Sequence, residues 1–96
     1  MSAEQLLAIS ETLSGQLDDL SWTTPTHVYN PLDYAWENHA TYVRRYGQEP
    51  GRILMVGMNP GPWGMAQTGL PFGDVEKVSQ WMGISGSLGA NLPEQH

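Results

Sequence analysis

Apolar residues in the first twenty positions step by three or four: Leu6, Ile9, Leu13, Leu17 and Leu20. That spacing predicts an amphipathic helix from Ser2 to about Leu20, with one face packed against a core. Ser2 and Gln5 fit an S-x-x-Q capping box, in which each side chain satisfies the other's backbone N–H. Gly15 lies inside the helix and lowers its intrinsic stability. The pattern is lost in "SWTTPTHVYNP", which reads as irregular, with His27 as a surface or hydrogen-bonded residue. It resumes between Pro31 and Tyr46, where Leu32, Ala35, Trp36, His39, Tyr42, Val43 and Tyr46 fall on one stripe. Asn30 suits the N-cap, Pro31 the first helical position, Arg44 and Arg45 the last turn, and Gly47 the stop. The aromatic stripe is expected in the core, with His39 hydrogen-bonded there.

The period then changes. "RILMVG" holds four consecutive apolar residues between Arg52 and Gly57, the pattern of a strand buried on both faces of a parallel sheet. In open α/β sheets, ligands bind beyond the carboxyl ends of the strands. The stretch found there is "GMNPGPWGMAQTGLPFG", a Gly- and Pro-rich loop with Asn59 near its start and Phe72 near its end. Asp74 can cap a third helix, "DVEKVSQWMG", whose apolar face is Val75, Val78, Trp81 and Met82 and which Gly83 ends. The tail "ISGSLGANLPEQH" has no period and reads as loop. One buried strand cannot satisfy its own backbone groups. Either it pairs with another chain or these residues are the N-terminal part of a longer α/β protein. The expected fold class is α/β, with truncation the favoured explanation.

Composition limits the chemistry. The 96 residues suffice for one small domain and contain no Cys, which removes disulfides and thiolate nucleophiles. No apolar run approaches the roughly 20 residues of a membrane span, and "MSAEQLLAIS" lacks a basic signal-peptide region. A soluble intracellular protein is expected. Four basic residues against ten acidic ones give a formal charge of −6, which taken alone argues against a nucleic-acid binder.

Several chemistries fail on the residues of the loop. No Lys follows the glycines as a phosphate loop needs, and G-x-G-x-x-G fails at Gly57. The prolines remove backbone donors that an anion would use. No metal-ligand cluster and no G-x-S-x-G occurs. Asn59 must then act without ionising: its amide can accept a hydrogen bond from water and donate to a ligand. An oriented but weakly activated water suits a leaving group that departs early, as in cleavage of an N-glycosidic bond through an oxocarbenium-like state.

"GMNPGPWGMAQTGLPFG" resembles the first motif of the SMUG-type, single-strand-selective monofunctional uracil-DNA glycosylases. "YNPLDYAWENHATYVRRYG" resembles the helix that precedes it in that family. The resemblance runs from about Tyr29 to Gly83, with Trp63 where Phe is common. It implies a three-layer α/β/α sandwich with a central parallel sheet, residues 1–96 forming part of one glycosylase domain. Within that part, 1–28 hold the first helix and irregular segment, 29–83 the family-like portion and 84–96 a loop tail.

It also implies hydrolysis of uracil and 5-hydroxymethyluracil from single- or double-stranded DNA in base excision repair, on a flipped nucleotide, by a monomer without metal or organic cofactor. The compartment would be the cytoplasm or nucleoid of a bacterium or the nucleus of a eukaryote. By position, Asn59 would orient the water and Phe72 would stack on the base. Met58, Gly61 and Met65 would shape the pocket around the pyrimidine's 5-position. The family's downstream Asn, late H-P-S motif and intercalating loop have no counterpart here, and His27, His39 and His96 stand in no H-P-S context. These residues alone are therefore expected to be inactive. Two other readings remain at this point: a module that binds a nucleotide or base without chemistry, and a non-functional gene fragment that does not fold.

Overall fold

A computed structural model describes residues 2–21, 23, 28–49, 51 and 53–86. Helix α1 spans Ala3–Asp18, and its capping box forms as expected. Ser2 N–H donates to Gln5 Oε1 at 2.8 Å and Gln5 N–H to Ser2 Oγ at 3.2 Å. Its packed face is not the leucine stripe. Ala3 and Leu7 are buried, whereas Ile9, Leu13, Leu17 and Leu20 are exposed. The reason is polar: Ser10 and Ser14 continue the Ala3–Leu7 face at helical spacing. Their hydroxyls meet His39 and Asn30 rather than solvent.

The expected helix from Pro31 to Tyr46 is two. Helix α2 (Pro31–Tyr34) and helix α3 (Trp36–Tyr46) meet at Ala35, whose backbone leaves the helical region at φ −108° and ψ 26°. Asn30 stands at the N-cap without a side-chain cap bond. Its amide instead donates toward Ser14 and to Asp18 Oδ1 at 3.0 Å, tying α2 to α1. Ala3, Leu7, Ala40 and Val43 form the first core, with Leu6, Trp36 and Tyr42 against it. Tyr42 also packs on a second core of Leu70, Val78 and Ile84. Arg45 closes the two halves by donating from Nη1 to the Met82 carbonyl at 2.7 Å.

The expected buried strand does not form. Among the described residues there is no strand, and residues 53–56 are 69–87% exposed. A parallel strand needs neighbours on both edges for its N–H and C=O groups, and the described residues supply none. These residues make a helical assembly, and the expected α/β/α sandwich is not present in it.

The motif and the third helix depart from expectation as well. Helix α4 (Met65–Thr68) is a single turn inside the stretch expected to be loop. The third helix starts as expected, with Asp74 Oδ1 accepting from Lys77 N–H at 3.1 Å. It then widens into the π-helical segment α5 (Lys77–Trp81), where Met82 N–H reaches back to the Lys77 carbonyl. The wider turn changes which side chains face inward. Val78 and Ile84 enter the core, while Val75 and Trp81 are exposed. Residues 24–27 of the irregular segment, with His27, and residues 87–96 of the tail, with His96, lie outside the described residues.

Candidate functional site

Residues 57–73 wrap one side of an open cleft of about 730 Å³. Asn59, Met58, Gly61, Met65 and Phe72 all line it, so the five residues singled out from sequence are brought together. Leu13 and Leu17 of α1 line it as well, with Tyr29 and Asn30 from the entry to α2. Exposed leucines that look misplaced on an isolated helix thus form a wall of the cleft.

The Gly- and Pro-rich segment is held by its own backbone. The Gly61 carbonyl accepts from the N–H of Gly64 and Ala66, and the Gly64 carbonyl from those of Gln67 and Thr68. Gln67 Nε2 donates to the Pro62 carbonyl at 2.8 Å. A Cβ on Gly61 would meet nothing within 4 Å, so no protein contact requires glycine there. Asn59 is exposed and donates from Nδ2 to the Pro60 carbonyl at 3.1 Å. That bond orients the amide and leaves Oδ1 as the acceptor. Asp74 is the only charged side chain among the described residues of the lining, and it is engaged as the cap.

Phe72 closes one edge. Its ring lies over Gly57, where an added Cβ would stand 3.4 Å from Cζ. The ring is 67% exposed and its backbone has φ +58°, the left-handed region uncommon for a bulky residue.

Three groups behind the loop were not assigned to the site by sequence reasoning. His39, only 6% exposed, donates from Nδ1 to the Gly69 carbonyl at 2.9 Å. A carbonyl only accepts, so Nδ1 carries a proton, and in the neutral ring Nε2 accepts from the Ser10 hydroxyl at 3.0 Å. Burial holds the His39 pKa below its ordinary value, against the opposing pull of the Gly69 bond. Tyr34 donates its hydroxyl to the Ala66 carbonyl, and its pKa is raised by burial and then by Tyr29. Thr68, 5% exposed, bonds within the loop itself. The available signal for Thr68 was a small hydroxyl residue between Gln67 and Gly69, which is weak. Among the described residues no three His, Cys, Asp or Glu side chains group as a metal site.

The chain is a homologue of uracil-DNA glycosylases, and specifically of the class its two quoted stretches resemble. It is 50% identical over 95 residues to the single-strand selective monofunctional uracil-DNA glycosylase of Rattus norvegicus and 48% identical over 95 to that of Mus musculus. Each match takes in 98% of this chain and 34% of the relative. The Bos taurus protein of the same name is 55% identical over 69 residues, 72% of this chain and 25% of that one. The chain thus spans about a third of the length of the curated relatives it matches. No protein-family model matches it.

Proposed function

We propose that this chain carries one wall of the base pocket of a uracil-DNA N-glycosylase acting in base excision repair. The observation that supports the reading is the gathering of Asn59, Met58, Gly61, Met65 and Phe72 on one cleft whose described lining has no cationic side chain. An N-glycosidic bond loosens toward an oxocarbenium-like state before water adds. Asn59 Oδ1 accepts a hydrogen bond from that water and aims it at the anomeric carbon, and no strong base is needed. The nucleotide is flipped out of the stack to reach it. Phe72 stacks on the flipped base, and Met58, Gly61 and Met65 bound its 5-position. A lining without cations suits a neutral base and not a phosphate.

In this reading residues 53–56 become a strand of a central parallel sheet when the remaining length found in the relatives is present. Their exposed apolar side chains support that. DNA contacts and stabilisation of the departing base anion also come from that remaining length, so the 96 residues by themselves release no base. The protein acts as a monomer, on single- or double-stranded DNA.

The test is substrate discrimination. The 95 matching residues of the rat relative are exchanged for this chain, and base release is measured from oligonucleotides carrying uracil, 5-hydroxymethyluracil or thymine at one position. Release of the first two and not of thymine is expected. Equal release of thymine would remove the 5-position argument. Tight base binding with no release of any base would favour a non-catalytic binding module.

A further inference from the structure

Thr68 is one of three buried polar side chains among the described residues, the others being Asn38 and His39. Its hydroxyl bridges both sides of the dipeptide Pro71–Phe72. Leu70 N–H donates to Oγ1 at 3.1 Å, and Oγ1 donates its one hydrogen to the Gly73 carbonyl at 2.7 Å. The Gly64 carbonyl, at 3.3 Å, is the longer alternative. Gly73 N–H closes the same four residues by donating to the Leu70 carbonyl at 3.0 Å. Pro71 thus stands second in a tight turn and Phe72 third, the position where a type II turn demands positive φ and ordinarily takes Gly or Asn. A phenylalanine held there at φ +58° is strained and persists only where its surroundings over-determine it. The surroundings are visible. A Cβ on Gly73 would stand 2.7 Å from Leu70 Cβ and 2.8 Å from Val78 Cγ2, so the turn is pressed onto the second core. His39 holds the preceding Gly69 carbonyl from α3.

We infer that Thr68 is a positioning residue: its hydroxyl locks the turn over residues 70–73 and so fixes the Phe72 ring at the edge of the cleft. The ring's placement stands on this geometry alone. Its consequence for base binding rests on the reading of Phe72 as the stacking surface.

Phe72 is the only phenylalanine in the 96 residues, so incorporation of 4-fluorophenylalanine gives one fluorine resonance that reports on it. Thr68→Ser keeps the hydroxyl and is expected to leave that resonance at the wild-type position. Thr68→Val removes the hydroxyl at nearly constant shape and is expected to shift or split it while the circular-dichroism signal of the helices is retained. An unchanged resonance in folded Thr68→Val overturns the inference. Should valine unfold the chain, Thr68→Ala takes its place, and an unchanged resonance there overturns it equally. In the exchange protein, Thr68→Val should raise KM for a uracil oligonucleotide with kcat less affected, and should do so only while Phe72 is present. No added effect is expected in a Phe72→Ala background. A shifted resonance with unchanged KM leaves the positioning role intact and removes Phe72 from base binding.

Discussion

The Nδ1–H of His39, on α3, points at the Gly69 carbonyl 2.9 Å away, at the far end of the motif stretch. With Ser10 of α1 on its other nitrogen, one imidazole joins two helices and the loop that lines the cleft. Burial holds the His39 pKa below its ordinary value, so near neutral pH the ring is neutral and Nε2 can accept from the Ser10 hydroxyl.

Stability should accordingly fall in acid. The folded-state pKa of His39 is lowered, with burial as the main cause, so below the ordinary value of 6.5 the unfolded chain binds the extra proton. The contribution is full above that value and is lost as the pH drops from it toward the lower folded value. Urea midpoints of the 96-residue chain between pH 8 and 5 should decline, and His39→Asn should flatten that decline. Asparagine places an amide near the Nδ1 position and can keep the Gly69 bond without titrating. An equal slope in both proteins would contradict the assignment.

Two glycines of the motif should separate folding from chemistry. Gly69 has φ +78°, and a Cβ there would stand 2.7 Å from the Ala35 carbonyl oxygen and 2.8 Å from Ala35 Cβ. Gly69→Ala should cost at least about 1 kcal/mol in denaturant unfolding, since both the backbone and the space are wrong for it. Gly61→Ala meets open space, so its stability should stay within about 0.5 kcal/mol. The same change should nevertheless depress base release in the exchange protein if, as proposed, the base lies against Gly61. Release unaffected by Gly61→Ala would move the base away from that wall.

Leu54 tests the strand. It is 87% exposed, so Leu54→Lys should leave the unfolding midpoint of the 96 residues nearly unchanged. In the exchange protein the same lysine would be buried without a partner in a parallel sheet, and the melting temperature should drop sharply. Equal tolerance in both settings would mean that residues 53–56 never enter a sheet.

The sequence was most legible where local chemistry decides. The Ser2 and Gln5 capping box, the Asp74 cap and the buried, hydrogen-bonded His39 follow from residue type and spacing, and the structure has each of them. Legibility failed where distant partners decide. Ser10 and Ser14 replace leucines on the packed face of α1 because a histidine and an asparagine lie opposite, and no period in the helix records that. The break at Ala35 lies against the backbone of Gly69, more than thirty residues away, which no local pattern records. The strand over residues 53–56 carries the apolar pattern but needs neighbours that the described residues do not contain. The candidate site was legible as a set of positions. Its supports at Tyr34 and Thr68 were not, since a single hydroxyl gives no pattern.

In the proposed function Asn59 orients the hydrolytic water. The direct measurement is free-uracil release from a single-stranded uracil oligonucleotide by the exchange protein and its Asn59→Ala form, with DNA affinity measured alongside. Turnover in Asn59→Ala should be lower by about 100-fold or more, since a misplaced reacting water costs that much, at unchanged affinity. Unchanged turnover in Asn59→Ala would contradict that role.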